Sequence, residues 1–154
     1  MSNVRHLKTV NTDNRSVVSL RIMGDSVDPV EITALLGANP THAYTRGSTR
    51  LTKLGKEVVN RSGHWSLDAQ EQVPEDLNSQ ITEVLGKLTE DLQVWQSLSG
   101  RYRIDLFCGL FMERSNEGLT LKPATLRLAA ERGIEIGIDL YAPDESEEGE
   151  SADA

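Results

Sequence analysis

The chain has 154 residues, 38% hydrophobic and 26% charged, enough for one domain with a core and too few for two of ordinary size. Its single cysteine, Cys108, excludes an internal disulfide and a multi-cysteine zinc site and suits a reducing compartment. The net charge of -8 is concentrated: Asp144, Glu145, Glu147, Glu148, Glu150 and Asp153 supply six of those charges in a stretch without a basic residue.

These biases divide the chain into a polar, basic arm over 1–15, expected to be flexible, one domain over 16–142, and an acidic tail over 143–154. The tail lacks the apolar surface that would offset its ordering entropy, so it is expected to be disordered. The opening residues hold no apolar run of the signal-sequence kind. Nowhere do about 18 consecutive apolar residues occur, as a membrane span needs. A cytoplasmic location is the expectation.

In chain order, Val18, Leu20 and Ile22 alternate with Ser19 and Arg21, which predicts a half-buried strand. Asp28 and Pro29 then open a short helix with apolar Ile32, Leu35 and Leu36, closed by Gly37. Between Gly37 and Gly63 the pattern weakens. The recurrence of Leu51, Leu54 and Val58 predicts a short helix over 48–58. Trp65 and Leu67 face inward on a short strand whose His64, Ser66 and Asp68 face outward.

Pro74, Glu75 and Asp76 predict the start of the longest helix, whose apolar face is Leu77, Ile81, Val84, Leu85, Leu88, Leu92, Trp95 and Leu98. After Gly100 comes the clearest strand. Tyr102, Ile104, Leu106, Cys108 and Leu110 point one way, Arg103, Asp105, Phe107 and Phe111 the other. Cys108 is thereby an inert core thiol. The opening pattern then recurs: a short strand with Leu119 and Leu121, a helix started at Pro123 with Leu126, Ala129 and Ala130 inward, a stop at Gly133, and alternation through Ile134, Ile136, Ile138 and Leu140.

This order predicts an α+β two-layer sandwich, a largely antiparallel sheet with helices on one face, ferredoxin-like in spirit, and the other face open to water. The run SLRIMGDSVDPVEITALLGANPTHAYTRG, the GHWSLD segment and the ending GLTLKPATLRLAAERGIEIGIDLYAP resemble a bacterial family, domain of unknown function 4279. The likeness covers residues 17–142. It implies a small free-standing domain and transfers no catalytic residue, because its marks are residues that set the fold.

Three constellations could carry chemistry. Arg46, Arg50, Lys53, Lys56 and Arg61, with His42 and Tyr44 nearby and Glu57 the only acid among them, form a basic stretch in an acidic chain. It suits an anionic ligand or an acidic protein surface. Nucleic acid is not expected, since no phosphate-loop pattern and almost no aromatic interleaving accompany it. The open sheet face should carry Arg21, His64, Ser66, Arg103, Asp105, Glu135 and Asp139, a set that can be read as a hydrolase or as ordinary cross-strand charge pairing. His6, His42 and His64 lie far apart, so neither a metal nor any other cofactor is expected.

Two functional readings stay open. In the first, the chain is a non-enzymatic binding protein that meets a protein partner through the open sheet face and residues 44–61. An immunity protein neutralising a toxin is an analogy for it. In the second, a small enzyme or ligand-binding protein, with its site where the open sheet face meets residues 41–61, uses His64 as base and Arg46 or Arg103 as anion clamp. A homo-oligomer built on edge strands is compatible with either.

Overall fold

The computed structural model describes residues 13–144. The expected flexible arm lies almost entirely, and the acidic tail mostly, outside the described residues. Arg15, assigned to the arm from sequence, already begins the first strand.

Five strands make one sheet in the order β2 (His42–Tyr44), β5 (Gly63–Asp68), β1 (Arg15–Gly24), β6 (Arg103–Phe111), β7 (Glu135–Tyr141). All neighbours are antiparallel except β6 and β7. The architecture is therefore α+β, with a mixed, mostly antiparallel sheet, as the alternation predicts. The cross-strand pairs Ile22 with Trp65 and Ile104, and Leu20 with Leu67 and Leu106, put the predicted inward rows on one face. That face forms a single core with side chains from α1 (Pro29–Leu36), α2 (Leu77–Gly86), α3 (Leu92–Arg101) and α4 (Pro123–Glu131). Trp65, Trp95, Leu20, Ile22 and Leu106 are wholly excluded from water, each worth about 1.5–3 kcal/mol or more of gross burial. Buried Gln80 ties α2 to β1, accepting from the Ser16 hydroxyl at 2.6 Å and donating to the Ser16 carbonyl at 2.9 Å.

The first helix ends as its residues dictate. The Asp28 carboxylate accepts from the amides of Val30 and Glu31, and Gly37 leaves in the left-handed region at φ 81°. Elsewhere tertiary structure overrides the periodicity. The predicted long helix is two helices, α2 and α3, broken over 87–91. There the Thr89 amide donates to the Leu36 carbonyl of α1, the Trp95 indole donates to the Thr89 carbonyl, and Asp91 caps α3. The apolar stripe survives the break except for Leu92, which is exposed. Pro74 does not start α2; Asp76 caps it through the Ser79 amide. Leu119 and Leu121 are irregular rather than a strand, though both pack on the core. In α4 the buried residues are Thr125 and Ala129, while Leu126 and Ala130 face water.

The largest correction is residues 48–58. They form no helix but a hairpin, β3 (Thr49–Leu51) with β4 (Glu57–Val59), inserted between β2 and β5. The Gly55 amide donates to the Thr52 carbonyl, and Gly55 has φ 76°, the left-handed residue that a three-residue hairpin loop requires. Leu51, Leu54 and Val58 therefore do not share an inward face; Leu51 and Leu54 are 74% and 96% exposed.

Candidate functional site

The open sheet face is organised by register. Ser66, Arg21, Asp105 and Glu135 lie in one row across β5, β1, β6 and β7, with His42 of β2 beyond Ser66. The next row holds Tyr44, His64, Met23 and Arg103. Arg21 grips Asp105 with two hydrogen bonds of 2.8 and 2.7 Å, and Arg103 approaches the same carboxylate at 3.9 Å. Those bonds to Asp105 hold the Arg21 guanidinium above its ordinary pKa. This part of the face is finished by cross-strand charge pairing.

At the β2 edge the arrangement differs. Tyr44 stacks on His64, ring centres 5.2 Å apart and 16° from parallel. Together with Thr41, His42, Ala43 and Arg50 they line an open cleft of about 540 Å³ between the sheet edge and the hairpin. Arg50 is steered there by Asn60, whose side-chain oxygen accepts from Nε at 3.0 Å and whose amide donates to the Ser48 hydroxyl. The Asn60 backbone bonds Ser48 and Gly47, so one buried asparagine forms the base of the hairpin. Thr41 accepts from the Asp68 amide at 2.9 Å and holds β2 on β5. Asn60 and Thr41 lie within the segment that the sequence points to, but their individual roles escape that reading. Gly47 and Gly55 flanking β-branched residues are the hairpin signal that would have pointed to Asn60.

Burial, followed by the nearby charges of Arg21 and His42, lowers the His64 pKa from its ordinary value, with Asp105 and Asp68 opposing. That shift favours the neutral form of the His64 ring. No carboxylate is bonded to it, and no hydrogen bond joins the Ser66 hydroxyl to either imidazole among the described residues. His42 lies 3.7 Å from Asp68. The cleft can accept a hydrogen-bonding or anionic group, but among the described residues no serine, histidine and carboxylate form a relay there.

Of the residues singled out from sequence, His42, Tyr44, Arg50 and His64 meet at the cleft. Arg46 instead pairs with Asp25 at 3.2 Å, and Arg103 sits on the Asp105 side of the sheet. Lys53 and Lys56 occupy the hairpin tip and Arg61 its exit, all exposed and without an ion pair among the described residues. Cys108 is buried, its thiol pushed up to about 12 by desolvation and by Asp105. Among the described residues no group of three or more histidine, cysteine, aspartate or glutamate side chains is placed to hold a metal ion, and no helix is long and apolar enough to cross a membrane.

No curated protein and no solved structure matches the chain. One family model does match, over residues 13–143, which takes in every strand and helix described above and both walls of the cleft. The chain belongs to the family described as domain of unknown function (DUF4279).

Proposed function

We propose that this protein is a non-catalytic binding module that captures an acidic segment of a protein partner with the β3–β4 hairpin and the cleft beside it. The observation that carries the reading is the hairpin itself. Among the described residues it presents Lys53 and Lys56 without ion-pair partners, displays Leu51, Leu54 and Val59 to water, and contributes almost nothing to the core. Exposed apolar side chains interleaved with unpaired cations on a short projecting element suit a partner that is itself apolar and acidic. Tyr44, beside the hairpin, is already stacked on His64, which favours protein over single-stranded nucleic acid. Neutralising a partner, as immunity proteins do, is one use of such capture, by analogy.

The test is affinity capture from the native host with the full chain and with an Arg50→Glu/Lys53→Glu variant, read by mass spectrometry. The expected result is one stoichiometric protein partner, lost at least tenfold by the variant while thermal unfolding is unchanged, and weakened by raising the salt from about 0.05 to 0.5 M. Equal capture by both forms rejects the hairpin as the contact.

A second reading, a small anionic ligand in the cleft, is favoured by the convergence of Arg50, His42 and His64. It predicts that inorganic phosphate or acetate shifts the His64 and His42 ring resonances at millimolar concentration. Unmoved resonances reject it.

A further inference from the structure

The opposite edge of the sheet has a separate character. β7 ends the sheet on the side away from β2 and pairs with β6 over its whole length. Among the described residues nothing pairs with its outer edge. Edge strands are usually blunted by lysine, proline, a bulge or extreme shortness. The seven residues of β7, EIGIDLY, carry none of these, and their only charges are the carboxylates of Glu135 and Asp139, on the face away from the helices. Ile138 and Tyr141 are exposed, Leu140 is 63% exposed, and Leu126 on neighbouring α4 is also open to water. The sequence predicts Ile138 and Leu140 on the buried face. They do lie on that face, paired with Cys108 and Leu110, but the helices stop short of covering them.

We propose that β7 pairs antiparallel with β7 of a second copy of this chain about a two-fold axis at Ile138, joining two five-stranded sheets into one. The charge pattern selects both the partner and the register. Centred on Ile138, all seven residues pair: Ile138 meets Ile138, Ile136 meets Leu140, Glu135 meets Tyr141, and Gly137 meets Asp139. Every apolar residue then faces an apolar residue on the helix side, and no carboxylate faces another. Moving the axis to Gly137 sets Glu135 against Asp139, and moving it to Asp139 sets that aspartate against its own copy, each an unfavourable like-charge pair. A strand that is self-complementary in one register and repulsive in the two adjacent ones fits an isologous interface. The inference is independent of the binding reading above. It would place the two hairpins at opposite ends of a ten-stranded sheet, making capture bivalent.

The test is the mass of the full chain by light scattering or sedimentation across concentration, with two cysteine variants. Directly opposed Cα atoms in an antiparallel pair are about 4.5–5.5 Å apart, within disulfide reach. Ile138→Cys should therefore cross-link to a covalent dimer under mild oxidation. Leu140→Cys should not, because two copies of that residue lie four positions apart, about 13 Å. Ile138→Lys should halve the measured mass while leaving thermal unfolding of the monomer cooperative. A wild-type monomer at every concentration overturns the proposal, whether the edge stays bare or another segment of the chain covers it. A dimer that survives Ile138→Lys, or one in which Leu140→Cys cross-links in place of Ile138→Cys, also overturns it.

Discussion

Arg21 and Asp105 stand directly opposite each other on β1 and β6, and the guanidinium donates from Nε and Nη2 to the two carboxylate oxygens at 2.8 and 2.7 Å. The partners are unequally placed: the Asp105 side chain is 6% exposed and that of Arg21 32%. Removing the arginine strands a buried carboxylate whose remaining cation among the described residues is Arg103, 3.9 Å away. Removing the carboxylate frees a guanidinium that can turn to water while resting on the Phe107 ring.

Arg21→Ala should therefore cost about 2–4 kcal/mol and Asp105→Ala roughly 1–2 kcal/mol, with the double variant costing less than the sum. Urea unfolding measures all three. Equal single costs would contradict the asymmetry.

Gly63 closes β5 against β1, opposite Gly24. A Cβ there would lie 2.6 Å from the Val27 Cβ and 2.8 Å from the Gly24 carbonyl oxygen. Gly63→Ala should destabilise by about 1–3 kcal/mol. Val27→Ala should not rescue it, because the clash involves backbone and a Cβ that alanine retains. A fully stable Gly63→Ala protein would show that the strands can part at no cost.

His64 titrates below its ordinary value in the folded protein, chiefly because it is partly buried. The unfolded chain therefore takes up this proton first as pH falls. Stability from this group is complete above about 6.5 and is lost as pH drops from there through the lower folded value. His64→Gln should flatten that part of a denaturation-against-pH profile. A wild-type profile no steeper than that of the variant counts against a depressed value.

The Cys108 thiol, buried and raised to about 12, should be inert to thiol reagents at pH 8 in the native protein. One equivalent should react on unfolding in urea. Rapid native labelling at a rate independent of denaturant would mean that the β6 core opens locally.

Much of the fold was legible because its signals are local. Alternation in β1, β5 and β6 needs only the two-residue period of a strand, and Asp28 with Gly37 delimits α1 through contacts within a few residues. The stripe from Leu77 to Leu98 was legible as a buried face, but not as two helices. The break depends on the Thr89 amide reaching the Leu36 carbonyl of α1, a contact no periodicity encodes. Residues 48–58 misled for a related reason. Leu51, Leu54 and Val58 keep helical spacing by coincidence, while Asn60 and the positive φ of Gly55 close a hairpin that leaves Leu51 and Leu54 outside the core.

The candidate site divides the same way. By itself the sequence determined that residues 42–61 hold cations, that the rings of His42, Tyr44 and His64 lie among or beside them, and that the sheet has a charged open face. Only the tertiary structure decided that Tyr44, Arg50 and His64 share a cleft, that Arg46 and Arg103 are held elsewhere by Asp25 and Asp105, and that β7 is the last strand of the sheet among the described residues. Residue type and spacing specify what a segment can form. Which side chains meet depends on strand order and on how far the helices extend over the sheet, and both are settled by long-range packing.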